Sequence, residues 1–240
     1  MFTLKAPNNP ELILERCHLV RAAKLTLEYM IEHGSIGLTK SKAFNRKFLH
    51  WAAKEFNFAG QEEEELFLVN KVLNEMDFPA AMMVHFLLKE TKLARHYKDQ
   101  FRITKQGEKI MNDPVALFEL IVPMFLFQVD FSWGRMIEPP SVGNWDINLN
   151  VMNVELQHTK TDMELSALFF GPESGPYGRS DDYWGFYHHV LNPLAWAGLI
   201  EKTVERRPRE ISTYHYTKTP LWSAALKLET DEGLKPVLVN

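Results

Sequence analysis

The chain has 240 residues, 45% of them hydrophobic and 24% charged, a composition typical of a globular protein with one large or two modest domains. Its net charge of −4 excludes a general attraction to nucleic acid or to an anionic membrane. The charge is uneven, because residues 1–113 hold 17 Lys and Arg against 15 Asp and Glu, whereas residues 114–240 hold 10 against 16. The first half is therefore the better candidate for a contact with phosphate.

Cysteine content and hydropathy indicate the cellular compartment in which the protein is expected. Cys17 is the single cysteine, which excludes a disulfide framework and a cysteine-based zinc site within the chain. Residues 1–10 lack the basic and apolar regions of a secretory signal. The most apolar run, residues 115–133, is a poor membrane span because it is interrupted by Glu119, Pro123, Gln128 and Asp130. We therefore expect a soluble, cytoplasmic protein with no membrane partner.

Helix signals dominate the first half of the chain. Asn9 and Pro10 are suited to open a helix, and Gly34 is suited to end it. Apolar spacing and capping residues predict further helices over 44–56, 61–76, 79–91 and 105–113. Strands are predicted over 36–38, 93–97 and 101–104, with Lys98, Asp99 and Gln100 forming the turn between the last two.

The second half begins with an aromatic-rich helix from Val115, kinked near Pro123. Residues 147–156 fit both a strand and a helix, and the helix is favoured. A capping-box pattern, Thr161 to Glu164, predicts a helix up to residue 170. Beyond it, the sequence predicts helices from residue 180 or 181, over 192–198 and over 220–226, with strands at 199–201 and 214–217 around a basic turn at 206–210.

The order of these signals resembles the winged-helix superfamily. Ala197-Gly198-Leu199-Ile200-Glu201 leads from a helix into a strand, and Tyr216-Thr217 returns from the basic turn. Ile103-Thr104-Lys105-Gln106-Gly107 makes the same return in the first half, where Thr91-Lys92-Leu93 replaces the usual Gly. The second half keeps Gly198 but has Pro220 where the later Gly would stand. Because the two copies complement each other, they favour a duplication.

We therefore predict an α+β, predominantly helical chain of two tandem winged-helix units with short two- or three-stranded wings. The units are expected at residues 1–113 and 114–240, the second with a longer loop at 171–182. More narrowly, residues 36–126 are similar to a region of plasmid and mobile-element open-reading-frame proteins of unknown function. The motifs are Leu38-Thr39-Lys40, Thr104-Lys105-Gln106-Gly107, Asp113-Pro114 and Leu117-Phe118. This resemblance implies a fold and no catalytic residues.

Motifs for catalysis and cofactors are weak. The Gly-rich run at 171–178 contains two prolines, which lack the N–H groups that a phosphate-binding loop requires. Asp181 and His188, seven residues apart, would share a helix face and could hold a metal, but an Asp at a helix start is more simply a cap. The sequence contains no nucleophile-elbow motif. We expect no catalytic residue, metal or cofactor.

Basic residues cluster at one helix start and on both predicted wings. The candidate nucleic-acid-binding residues are Lys40, Lys42, Arg46, Lys47, Arg95, Lys98, Arg102, Arg206, Arg207 and Arg209. Lys92 and His96 belong to the same first wing. On a winged helix such side chains contact phosphates or the minor groove. The helix at 79–91 is too apolar to read base edges well. The leading hypothesis is a non-catalytic nucleic-acid-binding or regulatory protein with DNA as its partner.

Two other functions stay open. A protein–protein interaction or assembly module, including a homodimer, fits the acidic second half and the aromatic residues near loops, Trp145, Tyr177, Tyr183 and Trp184. An enzyme without a recognisable motif is the third reading. For each basic turn, solvated surface charge is as good an explanation as phosphate contact.

Overall fold

A computed structural model of the protein describes residues 1–58, 60–132, 137–141, 143–172, 179–205 and 212–234. The chain divides into two compact units. The N-terminal unit comprises residues 6–128, and the C-terminal unit comprises residues 129–240 together with residues 1–5. The fold is α+β and predominantly helical, as predicted, with one three-stranded sheet in each unit. None of the described helices combines the length and apolar character needed to cross a membrane.

The N-terminal unit contains seven described helices and three strands. Its strands pair in the antiparallel order β2 (Ile36–Gly37), β4 (Gln100–Ile103), β3 (Ala94–Tyr97), with Ile36 opposite Phe101 and Ala94 opposite Ile103. The core beneath this sheet is rich in aromatic rings, among them Phe44, Phe48 and Phe78. The elements are α1 (Pro10–Arg16), α2 (His18–His33), β2 (Ile36–Gly37), α3 (Arg46–Glu55), α4 (Glu63–Val69), α5 (Pro79–Glu90), β3 (Ala94–Tyr97), β4 (Gln100–Ile103), α6 (Lys105–Ile110) and α7 (Pro114–Gln128).

The predicted helix over 10–34 is interrupted at Cys17, which adopts an extended conformation between α1 and α2. Asn9 caps α1 by accepting a hydrogen bond from the Leu12 N–H, and Gly34 ends α2 at φ +77°. Both helices contact α7 and each other. The interruption therefore lets two short apolar faces reach the same buried helix, which one straight helix could not do.

Helix α7 belongs to the N-terminal unit, one helix beyond the unit boundary expected at residues 113 and 114. It packs against α1, α2, α5 and α6. Its side chains at Leu117, Phe118 and Ile121 are fully buried. The Asp113 carboxylate accepts hydrogen bonds from the N–H groups of residues 115 and 116, so the helix begins immediately after α6 and folds back onto the same core.

The helix predicted over 61–76 ends early, at Val69. The Asn70 side chain donates to the Leu66 carbonyl, and Asn74 with Asp77 forms a capping box around the 3₁₀ turn Glu75–Asp77. Asn and Asp side chains compete with helical hydrogen bonds in this way. The turn directs Glu75 into the interior of the unit.

The C-terminal unit also contains a three-stranded sheet, two strands of which form a hairpin. Its antiparallel order is β5 (Lys160–Thr161), β7 (Thr213–Lys218), β6 (Ile200–Glu205), with Lys160 opposite Tyr216 and Ile200 opposite Lys218. A separate two-stranded sheet pairs β1 (Thr3–Leu4) with β8 (Leu226–Lys227). The elements are β1 (Thr3–Leu4), α8 (Trp145–Glu155), β5 (Lys160–Thr161), α9 (Asp162–Phe170), α10 (Asp181–Phe186), α11 (Asn192–Trp196), β6 (Ile200–Glu205), β7 (Thr213–Lys218), α12 (Pro220–Ala225) and β8 (Leu226–Lys227).

Local sequence patterns predicted two helices of this unit correctly and the start of a third wrongly. The ambiguous segment 147–156 is helical, and the Thr161–Glu164 capping box is present. The predicted separate helix start at Asn192 is wrong, because a π-helical segment, Tyr187–Leu191, joins α10 to α11 without a break. Pro193 lacks an N–H for the helical ladder, and a π segment accommodates such a missing bond.

In each unit a threonine at the end of the hairpin caps the next helix and bonds back to the start of the hairpin. The Thr104 hydroxyl donates to the Lys92 carbonyl at 2.7 Å and accepts from the Gly107 N–H. The Thr219 hydroxyl donates to the Gly198 carbonyl at 2.6 Å and accepts from the Leu221 N–H. The counterpart of Thr104 is therefore Thr219, and not Thr217 as the motif comparison assumed.

Candidate nucleic-acid interface

The hairpin of β3 and β4 has an apolar inner face and a basic outer face. Alternation along the strands places Ala94 and Phe101 in the core. Arg95 lies directly opposite Arg102 on the outer face, and both are exposed. Within the described residues, neither arginine has a carboxylate partner. Like charges that face each other across strands destabilise a sheet, so this pairing lowers the folding stability.

An exposed tyrosine lies between the charges of this outer face. The Tyr97 ring is 44% exposed, with the Arg102 guanidinium 4.9 Å and the Lys98 ammonium 5.6 Å from its centroid. The Gln100 side-chain oxygen accepts a 2.8 Å hydrogen bond from Arg102 Nε and orients the guanidinium. Aromatic rings beside cations are suited to stack on a base or ribose while the cations contact phosphate.

The turn of the β3–β4 hairpin, Lys98 and Asp99, is called the wing tip below. It is joined to the loop that precedes α3. Lys42 Nζ donates to the Lys98 carbonyl at 2.8 Å and contacts the Asp99 carboxylate at 3.0 Å. The Leu38 N–H donates to the Asp99 carbonyl at 2.8 Å. Lys42 thus holds the tip in place, and its charge is partly neutralised by Asp99. Lys40 and Lys98 are exposed beside it.

Helix α3 begins with two exposed cations. Asn45 caps the helix by accepting from the Phe48 N–H at 2.9 Å, and its own N–H donates to the Gly37 carbonyl in β2. Arg46 and Lys47 follow in the first turn, which contains no acid. Cations at a helix N-terminus oppose the macrodipole by roughly 0.3–1 kcal/mol each. The free N–H groups and these cations all favour an anion at this position.

Helix α5, which the winged-helix prediction would make the recognition helix, offers almost nothing to base edges. His85 and Thr91 are buried, and the Thr91 hydroxyl donates to the Leu87 carbonyl. Lys89 and Glu90 form an ion pair at 3.1 Å. This agrees with the apolar character that its sequence indicates. The candidate interface therefore consists of the wing and the start of α3.

The three predicted residues of the second wing, Arg206, Arg207 and Arg209, lie outside the described residues. The other seven are all exposed in the N-terminal unit. Tyr97 was missed by the sequence reasoning, although its two-residue spacing from Arg95 places both on one strand face. His96, which was considered with the basic wing, points instead toward the inner face.

A Glu–His–His cluster lies beneath the wing and was also missed. His85 Nδ1 is 2.6 Å from the Glu75 carboxylate, and His85 Nε2 is 2.7 Å from His96 Nε2. Burial, followed by the nearby charges of His85, Lys89 and Lys42, lowers the pKa of His96. Glu75, His85 and His96 belong to different elements, so the sequence contains no signal that joins them.

Comparison with known proteins places the chain in a family. Residues 15–116 match the family model described as the Y4jL N-terminal domain, and residues 135–220 match the y4jL C-terminal domain. The uncharacterized protein y4jL of Sinorhizobium fredii (strain NBRC 101917 / NGR234) is 34% identical over 159 residues, which cover 66% of this chain and 72% of that protein. The chain belongs to the y4jL family. No solved structure matches it.

The two y4jL family domains occur in tandem, and each contains one of the three-stranded sheets. The N-terminal domain contains every described member of the candidate interface. The prediction of two successive domains is therefore confirmed, and the family descriptions assign no activity to either domain.

The C-terminal y4jL domain contains a buried polar cluster centred on Asp162. Its carboxylate accepts from Arg179 at 2.9 Å and from the Tyr183 hydroxyl at 2.5 Å, and Arg179 also donates to the Ser212 carbonyl. Burial, with a smaller effect from the Asp162 hydrogen bond, raises the pKa of Tyr183 above its usual range. Because the acid is fully paired, this cluster is suited to hold β7 against α9 and α10, and not to transfer protons.

The metal candidate Asp181 and His188 spans the junction between α10 and the π-helical segment that begins at Tyr187. The neighbouring Asp182 carboxylate accepts from the Ser141 N–H at 2.8 Å. In the described parts of the chain, no group of three or more His, Cys, Asp or Glu residues is arranged to hold a metal.

Proposed function

We propose that the N-terminal unit is a winged-helix module that binds nucleic acid through the phosphate backbone, without direct reading of base edges. The observation that carries the proposal is the outer face of the wing, where Arg95 and Arg102 oppose each other without a carboxylate partner within the described residues, beside the exposed Tyr97. The repulsion between the two arginines lowers the folding stability, and a bound anion such as phosphate would offset that repulsion.

Topology supports the same proposal. In each unit a helix, a short strand, further helices and a hairpin follow one another, and the short strand pairs with the second strand of the hairpin. This order resembles that of winged-helix proteins, with three helices, α3, α4 and α5, before the hairpin of the N-terminal unit. The Asn45 N–H donates to the Gly37 carbonyl of β2, and Gly37 lies opposite Gln100 next to the hairpin turn. The start of α3 with Arg46 and Lys47 thus adjoins the sheet at the end where the hairpin turns.

Fluorescence anisotropy with a mixed-sequence DNA duplex, at low and moderate salt, tests the proposal. The wild-type protein is expected to bind with an affinity that falls steeply as salt rises, since phosphate contacts release counterions. The double variant Arg95→Gln/Arg102→Gln should bind more weakly, and its slope of log K against log salt should be shallower by roughly 2.

A matched control is Lys71→Gln/Lys109→Gln, which removes the same charge from exposed positions outside the wing. It is expected to keep the wild-type slope. An unchanged affinity in the arginine variant would overturn the role of the wing. Base substitutions in the duplex should change affinity little, because α5 presents no free polar group within the described structure.

A second function, protein–protein interaction, is favoured by apolar exposure in the same unit. Met76 is 85% exposed, Leu68 80% and Phe86 41%. Exposed apolar side chains of this size are typical of contact surfaces. The anisotropy experiment separates the two functions, because absence of binding at low salt would favour the protein partner.

A further inference from the structure

We propose that His85 and His96 form a site for one divalent transition-metal ion of the zinc class, with Glu75 as the residue that positions His85. The inference concerns the inner face of the wing and does not depend on nucleic-acid binding. Imidazole nitrogens are common ligands of Zn²⁺ and related ions. With two protein ligands, water molecules would complete the coordination.

The orientation of His85 is determined on all sides. Its Nδ1 donates to the Glu75 carboxylate at 2.6 Å, so that the lone pair of the neutral ring lies on Nε2. The second Glu75 oxygen accepts from the Phe44 N–H at 3.2 Å. The Phe44 ring stacks on the imidazole at 4.1 Å, and the Phe101 ring meets it edge-on at 4.6 Å. A carboxylate that orients a histidine through its other ring nitrogen is the usual outer shell of a metal ligand.

The second histidine directs its Nε2 at the same point. The two Nε2 atoms are 2.7 Å apart, so they must share either a proton or a metal ion. Ligand bonds of about 2.0–2.1 Å at a tetrahedral angle require a separation of roughly 3.3 Å. His96 lies on the exposed strand β3 and can move outward by that difference, whereas His85 is only 8% exposed and stays fixed.

The charges around the pair are of both signs. Lys42 and Lys89 lie near His96 and oppose a cation, while Glu75 favours it. Burying a carboxylate and an imidazole together is costly compared with apolar packing, and the Glu75 and His85 pair is nonetheless placed in the aromatic core. Because solvent reaches His96, an ion can enter without unfolding.

The test is a Zn²⁺ titration of the tag-free full-length protein in competition with a chromophoric chelator. We expect one ion per chain, at least tenfold weaker binding in His96→Gln, and 10–100-fold weaker binding in Glu75→Gln. The control His50→Gln removes an exposed histidine elsewhere in the unit and should bind as the wild type does. Circular dichroism establishes that each variant is folded, and the exposed position of His96 makes its variant the decisive one.

A second measurement identifies the ligands. Electron paramagnetic resonance of the Cu²⁺-loaded protein should show coupling to two imidazole nitrogens in the wild type and to one in His96→Gln. Equal Zn²⁺ affinity in the wild type and His96→Gln, or no Zn²⁺ binding by the folded wild type, would overturn the proposal. The two histidines would then share a proton only.

Discussion

Lys42, Arg95 and Arg102 carry the same charge but have different surroundings. Lys42 is engaged by Asp99 and the Lys98 carbonyl, so it positions the wing tip. The two arginines have no acidic partner within the described residues and keep their full charge for a ligand. Sequence composition treats the three as equal, because pairing depends on which turn lies beside which loop. His18 provides a second case in which surroundings change a residue's chemistry.

Burial lowers the pKa of His18 from 6.5 to about 4, with a smaller effect from the charge of Arg21. The unfolded chain therefore takes up a proton between pH 6.5 and 4 that the folded chain does not, and stability falls as the pH falls through this window. The loss should be roughly 2–3 kcal/mol between pH 7 and pH 4.5. Urea denaturation at the two pH values measures it.

The variant His18→Phe keeps a ring against Phe58, whose centroid lies 5.3 Å away, and removes the titrating group. Its stability should depend less on pH by that amount. His50→Phe, at an exposed position, should behave as the wild type does. If His18→Phe kept the full pH dependence, the buried histidine would not be its source.

At the scale of elements, caps and turns were predictable because their chemistry is local. Asn9 and Thr104 cap the helices that follow them, as predicted, and the first hairpin pairs Tyr97 with Gln100 across a turn one residue shorter than expected. The interruptions at Cys17 and after Val69 were not predictable. Each depends on a distant surface, α7 for the first and the core around His85 for the second. At Gly107, contact with the distant start of the hairpin leaves room for glycine and for no larger residue.

A Cβ on Gly107 would lie 2.3 Å from the Leu93 carbonyl oxygen and 2.8 Å from the Ile103 side chain. Gly107→Ala must therefore displace the start of the hairpin. The clash outweighs the gain in helix propensity of about 1 kcal/mol, and a net loss of roughly 1–3 kcal/mol is expected. The urea midpoint measures this loss.

Gly233→Ala is the comparison for Gly107, since its added Cβ would have no atom within 4 Å. It should change the free energy of unfolding by no more than about 0.5 kcal/mol. If Gly107→Ala were as stable as Gly233→Ala, the hairpin would accommodate the added Cβ without loss of unfolding free energy, and the prediction would be wrong.

At the scale of the whole molecule, the boundary between units is a question of packing. The sequence places a break at Asp113-Pro114, shortly after α6 ends at Ile110, but α7 returns to the N-terminal core. Residues 1–5 belong with the C-terminal unit because β1 pairs with β8. The place of α7 and that of residues 1–5 do not follow from helix-breaking residues or from composition, because both depend on where an apolar surface is buried.

Two fragments test this division. Residues 6–128 should fold alone, with a helical spectrum and a cooperative urea transition. Residues 6–113 should not, because they lack five α7 side chains, each worth roughly 1.5–3 kcal/mol on burial: Leu117, Phe118, Ile121, Val122 and Phe125. That sum is comparable with the whole stability of a typical domain. A cooperative transition in the shorter fragment would return the boundary to residue 113.

The sequence by itself determined the fold class, the tandem pair of domains, the helix caps at Asn9, Thr104 and Thr161, and the basic residues of the first hairpin. These follow from local propensity, side-chain periodicity and turn chemistry, which operate over a few neighbouring residues. The tertiary structure alone decided which unit holds α7, which lysine is paired and that Glu75 meets His85 and His96. Those outcomes depend on contacts between residues far apart in the chain, and the competition for buried space that selects them has no local signal.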